Sequence, residues 1–165
     1  LTVRSVLLHR LQNASGEEAQ HMTPQERAER SAQAMWAGDA ASQAMGMRID
    51  AIGPGTATLS MTVADHHLNG HKICHGGHIF TLADSAFAFA CNSYNTLVVA
   101  QENSITFLSA GRPGERLTAV AREAAMNGRS GVYDVEVTGE DGRQVALFRG
   151  LSRQVKGQHF QEDDT

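Results

Sequence analysis

The sequence predicts an α+β domain in which antiparallel strands surround one long buried helix. Three observations predict it. From Ile79 to Ala90, apolar residues fall on nearly every side of a helix, which marks burial rather than a surface stripe. The stretches 47–63 and 98–155 instead alternate apolar and polar residues, the two-residue period of strands. These strands come in runs joined by short turns, which argues against a parallel doubly wound sheet.

In order along the chain, residues 1–22 do not begin with Met, and Val6-Leu7-Leu8 is too short and wrongly flanked for a secretion signal. His21-Met22 reads either as a cloning junction with Met22 as the natural start or as part of a native extension. Thr23-Pro24-Gln25-Glu26 starts a helix that runs to about Trp36, with Thr23 as cap and Pro24 in the first position. Asp39 caps a second, short helix that Gly46 ends. Met47, Ile49 and Ala51, then Ala57, Leu59, Met61 and Val63, form a hairpin about Gly53-Pro54-Gly55. A His-rich loop leads into the buried helix, which reaches about Asn92. Strands follow at Val98–Leu108, Glu115–Ala125, Arg129–Thr138 and Arg143–Val155, expected as a four-strand meander. Asn127-Gly128 and Asp141-Gly142 are tight-hairpin signals. The expected organisation is an extension at 1–22, one domain at 23–155, and a polar, frayed tail at 156–165.

At 165 residues the chain is long enough for one domain with a real core. Its net charge of −4 includes no basic block, which argues against nucleic acid as a partner but allows a local basic pocket for a small phosphate ligand. No apolar run has membrane-spanning length. Cys74 and Cys91 lack zinc-type spacing and read as reduced thiols of a cytoplasmic protein.

Chemistry concentrates between Asn69 and Asp84. Asp84 is the one clear acid in the buried helix, where a carboxylate is costly unless paired or used. Gly76 and Gly77 at the helix start would bare backbone N–H groups for an incoming oxygen. The plainer alternative is that the glycines permit close packing and Asp84 joins a structural network. His66, His67, His71, His75 and His78 crowd the same region beside Asp65. His71 and His75 have a spacing that suits a metal on a helix. Gly70, Gly76 and Gly77 make much of that region a loop, and His-Glu-x-x-His is absent, so the expectation is surface and loop-supporting histidines with no metal. Cys74 beside His75 is not a dyad, because adjacent side chains diverge.

Taken in order, these motifs resemble the hotdog-fold thioesterases, most closely the phenylacetate-pathway PaaI-type acyl-CoA thioesterases. The resemblance rests on Leu68-Asn69-Gly70-His71, Cys74-His75-Gly76-Gly77, Leu82-Ala83-Asp84, Ala90-Cys91-Asn92-Ser93, Gly131-Val132-Tyr133-Asp134 and Ala146-Leu147-Phe148-Arg149-Gly150, and covers about Met35 to Val155. It implies a hotdog fold and hydrolysis of acyl-CoA thioesters, with phenylacetyl-CoA or hydroxylated aryl-acetyl-CoA as substrate. It implies Asp84 as the catalytic carboxylate and Gly76 N–H as the group that polarises the thioester carbonyl. Asn69 would orient water or the carboxylate, His75 would support the loop, and Gly77 would adjoin the substrate. Some relatives carry Ser or Thr on the strand after the helix; Ala100 stands nearest that position here, with Gln101, Ser104 and Thr106 close by, which leaves that role open. Coenzyme A is then part of the substrate, and no separate cofactor is expected.

The chemistry is consistent with the resemblance. Thioester hydrolysis passes through a tetrahedral oxyanion that N–H donors at a helix start stabilise. A carboxylate attacks the carbonyl or takes a proton from water, and the sequence leaves both routes open. Arg129 and Arg112 read either as partners for the coenzyme A phosphates or as solvated turn charges. Asp84 lies eight positions beyond Gly76, roughly 12 Å along a helix, so one helix stretches the geometry. Two antiparallel helices across a two-fold axis would bring Gly76 of one chain near Asp84 of the other. The expected assembly is a homodimer with shared active sites, and beyond it a homotetramer. Two other readings remain: a non-catalytic acyl-CoA-binding hotdog module, and a metal-dependent hydrolase using the His-rich loop.

Overall fold

A computed structural model describes residues 22–162; the reading of the chain start, residues 1–22, lies outside the described residues except for Met22. Helix α1 spans Pro24–Gly38, and Thr23 and Glu26 form the reciprocal cap that the sequence announces. Helix α2, Ala40–Ala44, starts where the Asp39 carboxylate accepts from Ser42 N at 3.0 Å. Strands β1 (Arg48–Gly53) and β2 (Thr56–Thr62) form the expected hairpin, turning through Pro54 and Gly55, whose φ of +67° suits glycine. A short 3-10 turn at Asp65–His67 and a loop then lead into α3, Gly76–Cys91. Strands β3 (Val98–Phe107), β4 (Arg116–Asn127), β5 (Ser130–Thr138) and β6 (Gln144–Gln154) complete the sheet.

Helix α3 lies across one face of a six-stranded antiparallel sheet, as the fold class anticipates. Its Leu82, Ala86 and Phe87 are buried, and Leu59, Leu117, Ala119, Tyr133, Val135 and Phe148 from four strands join them in the core. Gly150 on β6 is forced by this packing, because an added Cβ would meet the Phe87 ring at 2.8 Å. Among the described residues, no helix is long and apolar enough to cross a membrane.

Three local expectations change. The strand order is β1-β2-β4-β5-β6-β3, so the last four strands are not a meander. Strand β3 pairs with β6 at the sheet edge, from Val98 opposite Gln154 to Phe107 opposite Ala146. The reason lies in residues 108–115: Leu108 N bonds Val145 O, and Gly111 O accepts from Cys74 N at 2.9 Å. The connection thus crosses the mouth of the helix loop instead of folding back as a hairpin. The turn at Asp141-Gly142 is wider than a two-residue hairpin, because Gly139 N bonds Arg143 O and Gly142 N bonds Gly139 O. The segment beyond Lys156 is held rather than frayed through 162. Asn95 Oδ1 accepts from His159 N and Phe160 N, Glu162 pairs with Arg27 at 2.7 Å, and the Arg30 guanidinium lies 4.2 Å from the Phe160 ring centre.

Candidate active site

The loop before α3 is built by its own polar groups. Asn69 Oδ1 accepts from His71 N at 2.9 Å and Ile73 N at 3.4 Å, while Asn69 N bonds Ile73 O. The loop is tied down by His75 N to His67 O at 2.8 Å and Cys74 N to Gly111 O. His75 caps α3: its Nδ1 accepts from Gly77 N at 2.9 Å, and its carbonyl accepts from His78 N. Accepting at Nδ1 requires a lone pair there, so the cap is the neutral imidazole with its proton on Nε2. These contacts occupy Gly77 N–H and His78 N–H. Gly76 N–H, the first of the helix, has no acceptor among the described residues. Gly76 also lies under the Phe107 ring, which an added Cβ would meet at 3.0 Å.

Asp84 stands two turns into α3, half-buried, and accepts from Asn103 Nδ2 at 2.7 Å. Burial raises its proton affinity above the ordinary carboxylate range, and the Asn103 amide opposes that rise. Such a carboxylate is a stronger base than an exposed one. Asn103 was not singled out in the sequence. Ala100 and Gln101, nearest the position left open, are exposed, while Ser104 and Thr106 line a cleft on the outer face of the sheet with Asp134 and Arg149. Within one chain, Asn103 and not Asn69 touches Asp84.

The histidines pack on one another. Ring centres are 4.1 Å apart for His66 and His67, 4.9 Å for His67 and His78, and 6.1 Å for His75 and His78. Burial, and then the neighbouring rings, hold His67 and His78 below the usual imidazole range. Among the described residues, no group of three His, Cys, Asp or Glu side chains is placed to hold a metal ion. Both cysteines are free and buried. Burial, with a contribution from Glu115, pushes the Cys74 thiol up to about 11; burial above all pushes Cys91 to about 12. Neither offers a thiolate at neutral pH.

The two candidate phosphate ligands sit far apart. Arg112 lies beside the helix loop, next to Gly111, and pairs with Asp141 at 3.1 Å. Arg129 is exposed in the turn between β4 and β5. The 12 residues of β4 separate them, about 40 Å at the rise of an extended strand. In one chain they cannot grip the same phosphate group.

The geometry therefore presents a free N–H at the start of a helix and a half-buried base two turns along it. Comparison with known proteins gives four related results. A profile of the thioesterase superfamily matches residues 71–146. Acyl-coenzyme A thioesterase PaaI of Escherichia coli (strain K12) is 44% identical over 126 residues, 76% of this chain and 90% of that protein. The structure of the E. coli PaaI protein from the phenylacetic acid degradation operon superposes with a TM-score of 0.81 at 42% identity, covering 82% of this chain and 99% of that one. A hypothetical thioesterase protein from Streptococcus pneumoniae TIGR4, solved with coenzyme A, superposes with a TM-score of 0.65 at 27% identity, covering 68% and 87% of the two chains.

Proposed function

Since the chain belongs to the thioesterase superfamily and to its PaaI-type acyl-CoA thioesterases, we propose that it hydrolyses acyl-CoA thioesters, phenylacetyl-CoA or hydroxylated aryl-acetyl-CoA, with Gly76 and Asp84 as the reacting pair. The observation that carries this reading is the free Gly76 N–H on a helix whose one acid is the half-buried Asp84. Gly76 N–H polarises the thioester carbonyl and holds the oxyanion. Asp84 attacks the carbonyl carbon, giving an anhydride that water then hydrolyses, or takes a proton from an attacking water; on either route the C–S bond breaks and the coenzyme A thiolate leaves. His75 fixes the Gly76–Gly77 turn through its cap, and Asn69 shapes the loop. Gly77 adjoins the substrate, and Arg112 or Arg129 meets a coenzyme A phosphate.

Each site draws on two copies of the chain. Along a helix, Gly76 and Asp84 stand roughly 12 Å apart, while both must lie about 3 Å from one carbonyl. Strand β3 is a sheet edge, and Val99, Phe107 and Leu108 on or beside it are exposed. A second copy meeting that edge about a two-fold axis would cover them and set two α3 helices antiparallel. The proposed assembly is such a dimer, paired again as a homotetramer, working in the cytoplasm.

A panel of acyl-CoAs with a thiol-trapping reagent tests the reaction. Thiol release is expected, fastest with arylacetyl groups; binding without release would favour an acyl-CoA sensor instead. The proposed mechanism needs no cofactor beyond the substrate. Exhaustive chelation is therefore expected to leave the rate unchanged, and a rate lost on chelation and restored by one divalent ion would point to metal-dependent hydrolysis. The rate is also expected to fall as pH drops through the raised pKa of Asp84, since the carboxylate is the active form.

A further inference from the structure

Asn103 is the one side chain among the described residues that hydrogen-bonds Asp84, at 2.7 Å. It faces α3 from β3, opposite Gly150 on β6, where Phe87 fills the space a side chain would take. Its Oδ1 is buried and has no partner among the described residues. For packing alone this is a poor choice, since an unpartnered buried carbonyl destabilises a fold where an apolar side chain would not. We propose that Asn103 is a positioning residue for Asp84: its amide N–H holds Oδ1 and so presents Oδ2 to the thioester carbonyl or to water.

This proposal rests on the reading of Asp84 as the reacting carboxylate. A bond to one carboxylate oxygen fixes the plane of the group and leaves the lone pairs of the other free. It also favours the charged form against the effect of burial. The nearby titratable group on α3 is Cys91, whose thiol at about 12 stays neutral wherever Asp84 titrates. On β3 the facing group is Asn103 itself, which does not titrate. His75 and His78 lie at the start of α3, about two turns from Asp84 in the same chain.

The test is the pH profile of kcat and KM for the chain with phenylacetyl-CoA, in Asn103→Ala and Asn103→Asp. In Asn103→Ala, kcat is expected to fall roughly 10- to 100-fold, the scale of a misplaced reacting group, with KM near wild type. Its acid limb is expected to move to higher pH, because a donor to the carboxylate is gone. Asn103→Asp keeps the side-chain shape but sets a second carboxylate against the first, so its limb should move further in the same direction. An unchanged kcat and limb in Asn103→Ala would overturn the proposal. So would a loss of kcat with the limb unmoved in both variants, or a loss explained in both by a collapsed thermal melt. Asp84→Asn, measured alongside, separates the two readings: if it retains wild-type turnover, the assignment of Asp84 fails; if it is inactive while Asn103→Ala is not, only the role of Asn103 fails.

Discussion

Asp84→Asn is expected to abolish turnover while leaving the protein folded and able to hold acyl-CoA. An amide can neither attack the thioester nor take a proton from water, so a loss of about 10²- to 10⁴-fold in kcat follows from losing the reacting group. Stability should move the other way. Burial raises the proton affinity of Asp84 in the folded chain, so the stability contributed by its protonated form is complete in acid, below the unfolded pKa. That contribution is lost as pH rises through the folded value. At neutral pH the charged group is therefore a burden that a neutral amide of the same shape removes. Asn103 can still donate to the introduced oxygen. The thermal midpoint of Asp84→Asn should equal or exceed that of the wild type at pH 7, with the advantage shrinking in acid. Melting curves and initial rates on one preparation check both signs, and wild-type-like turnover would sink the assignment.

Gly76→Pro is expected to cost about 10²- to 10³-fold in kcat, the usual effect of removing one oxyanion donor. The position suits the test. Gly76 is the first residue of α3, where proline is well tolerated because that N–H has no partner within the helix. His75 before it is already extended, at φ −61° and ψ 134°, as a residue before proline requires. The new ring must displace the Phe107 side chain slightly; Phe107 is half exposed within one chain but lies at the proposed dimer contact, so dimer formation by Gly76→Pro is measured alongside. Loss of turnover with an unchanged circular dichroism spectrum is the expected outcome. Full activity would remove Gly76 N–H from the mechanism.

Much of this was legible because the signals are local. The capping box at Thr23 and Glu26 and the Asp39 cap are set within one helical turn, and the structure forms both. The burial of α3 follows from apolar residues on nearly every face. The place of β3 was not legible, because alternation shows that a strand exists and not which strand it joins. That choice is made by residues 108–115, which run across to Cys74. Asn103 was hidden by a register shift. Val98 packs inward, and counting every second residue from it gives Ala100, Glu102, Ser104 and Thr106. A bulge between Ala100 and Glu102 inserts one residue, so Asn103 and Ile105 face the helix beyond it. An isolated polar residue beside Ile105 in an apolar inward row was the available clue. The tail was read from its charge alone, which does not reveal that Asn95, Arg27 and Arg30 are placed to receive it.

Co-refolding two inactive proteins, Asp84→Ala and Gly76→Pro, tests most directly whether one site is assembled from Gly76 of one chain and Asp84 of another. A mixed dimer would then contain one site with both native groups and one with neither. The measurement is thiol release from phenylacetyl-CoA by the co-refolded mixture, with mixed dimers quantified through distinguishable tags. Activity is expected to return in proportion to the mixed dimers, at about half the wild-type rate for each. If both groups came from one chain, every site in the mixed dimer would keep one defect. The mixture would then stay as inactive as its parents although mixed dimers had formed, and that result would contradict the account.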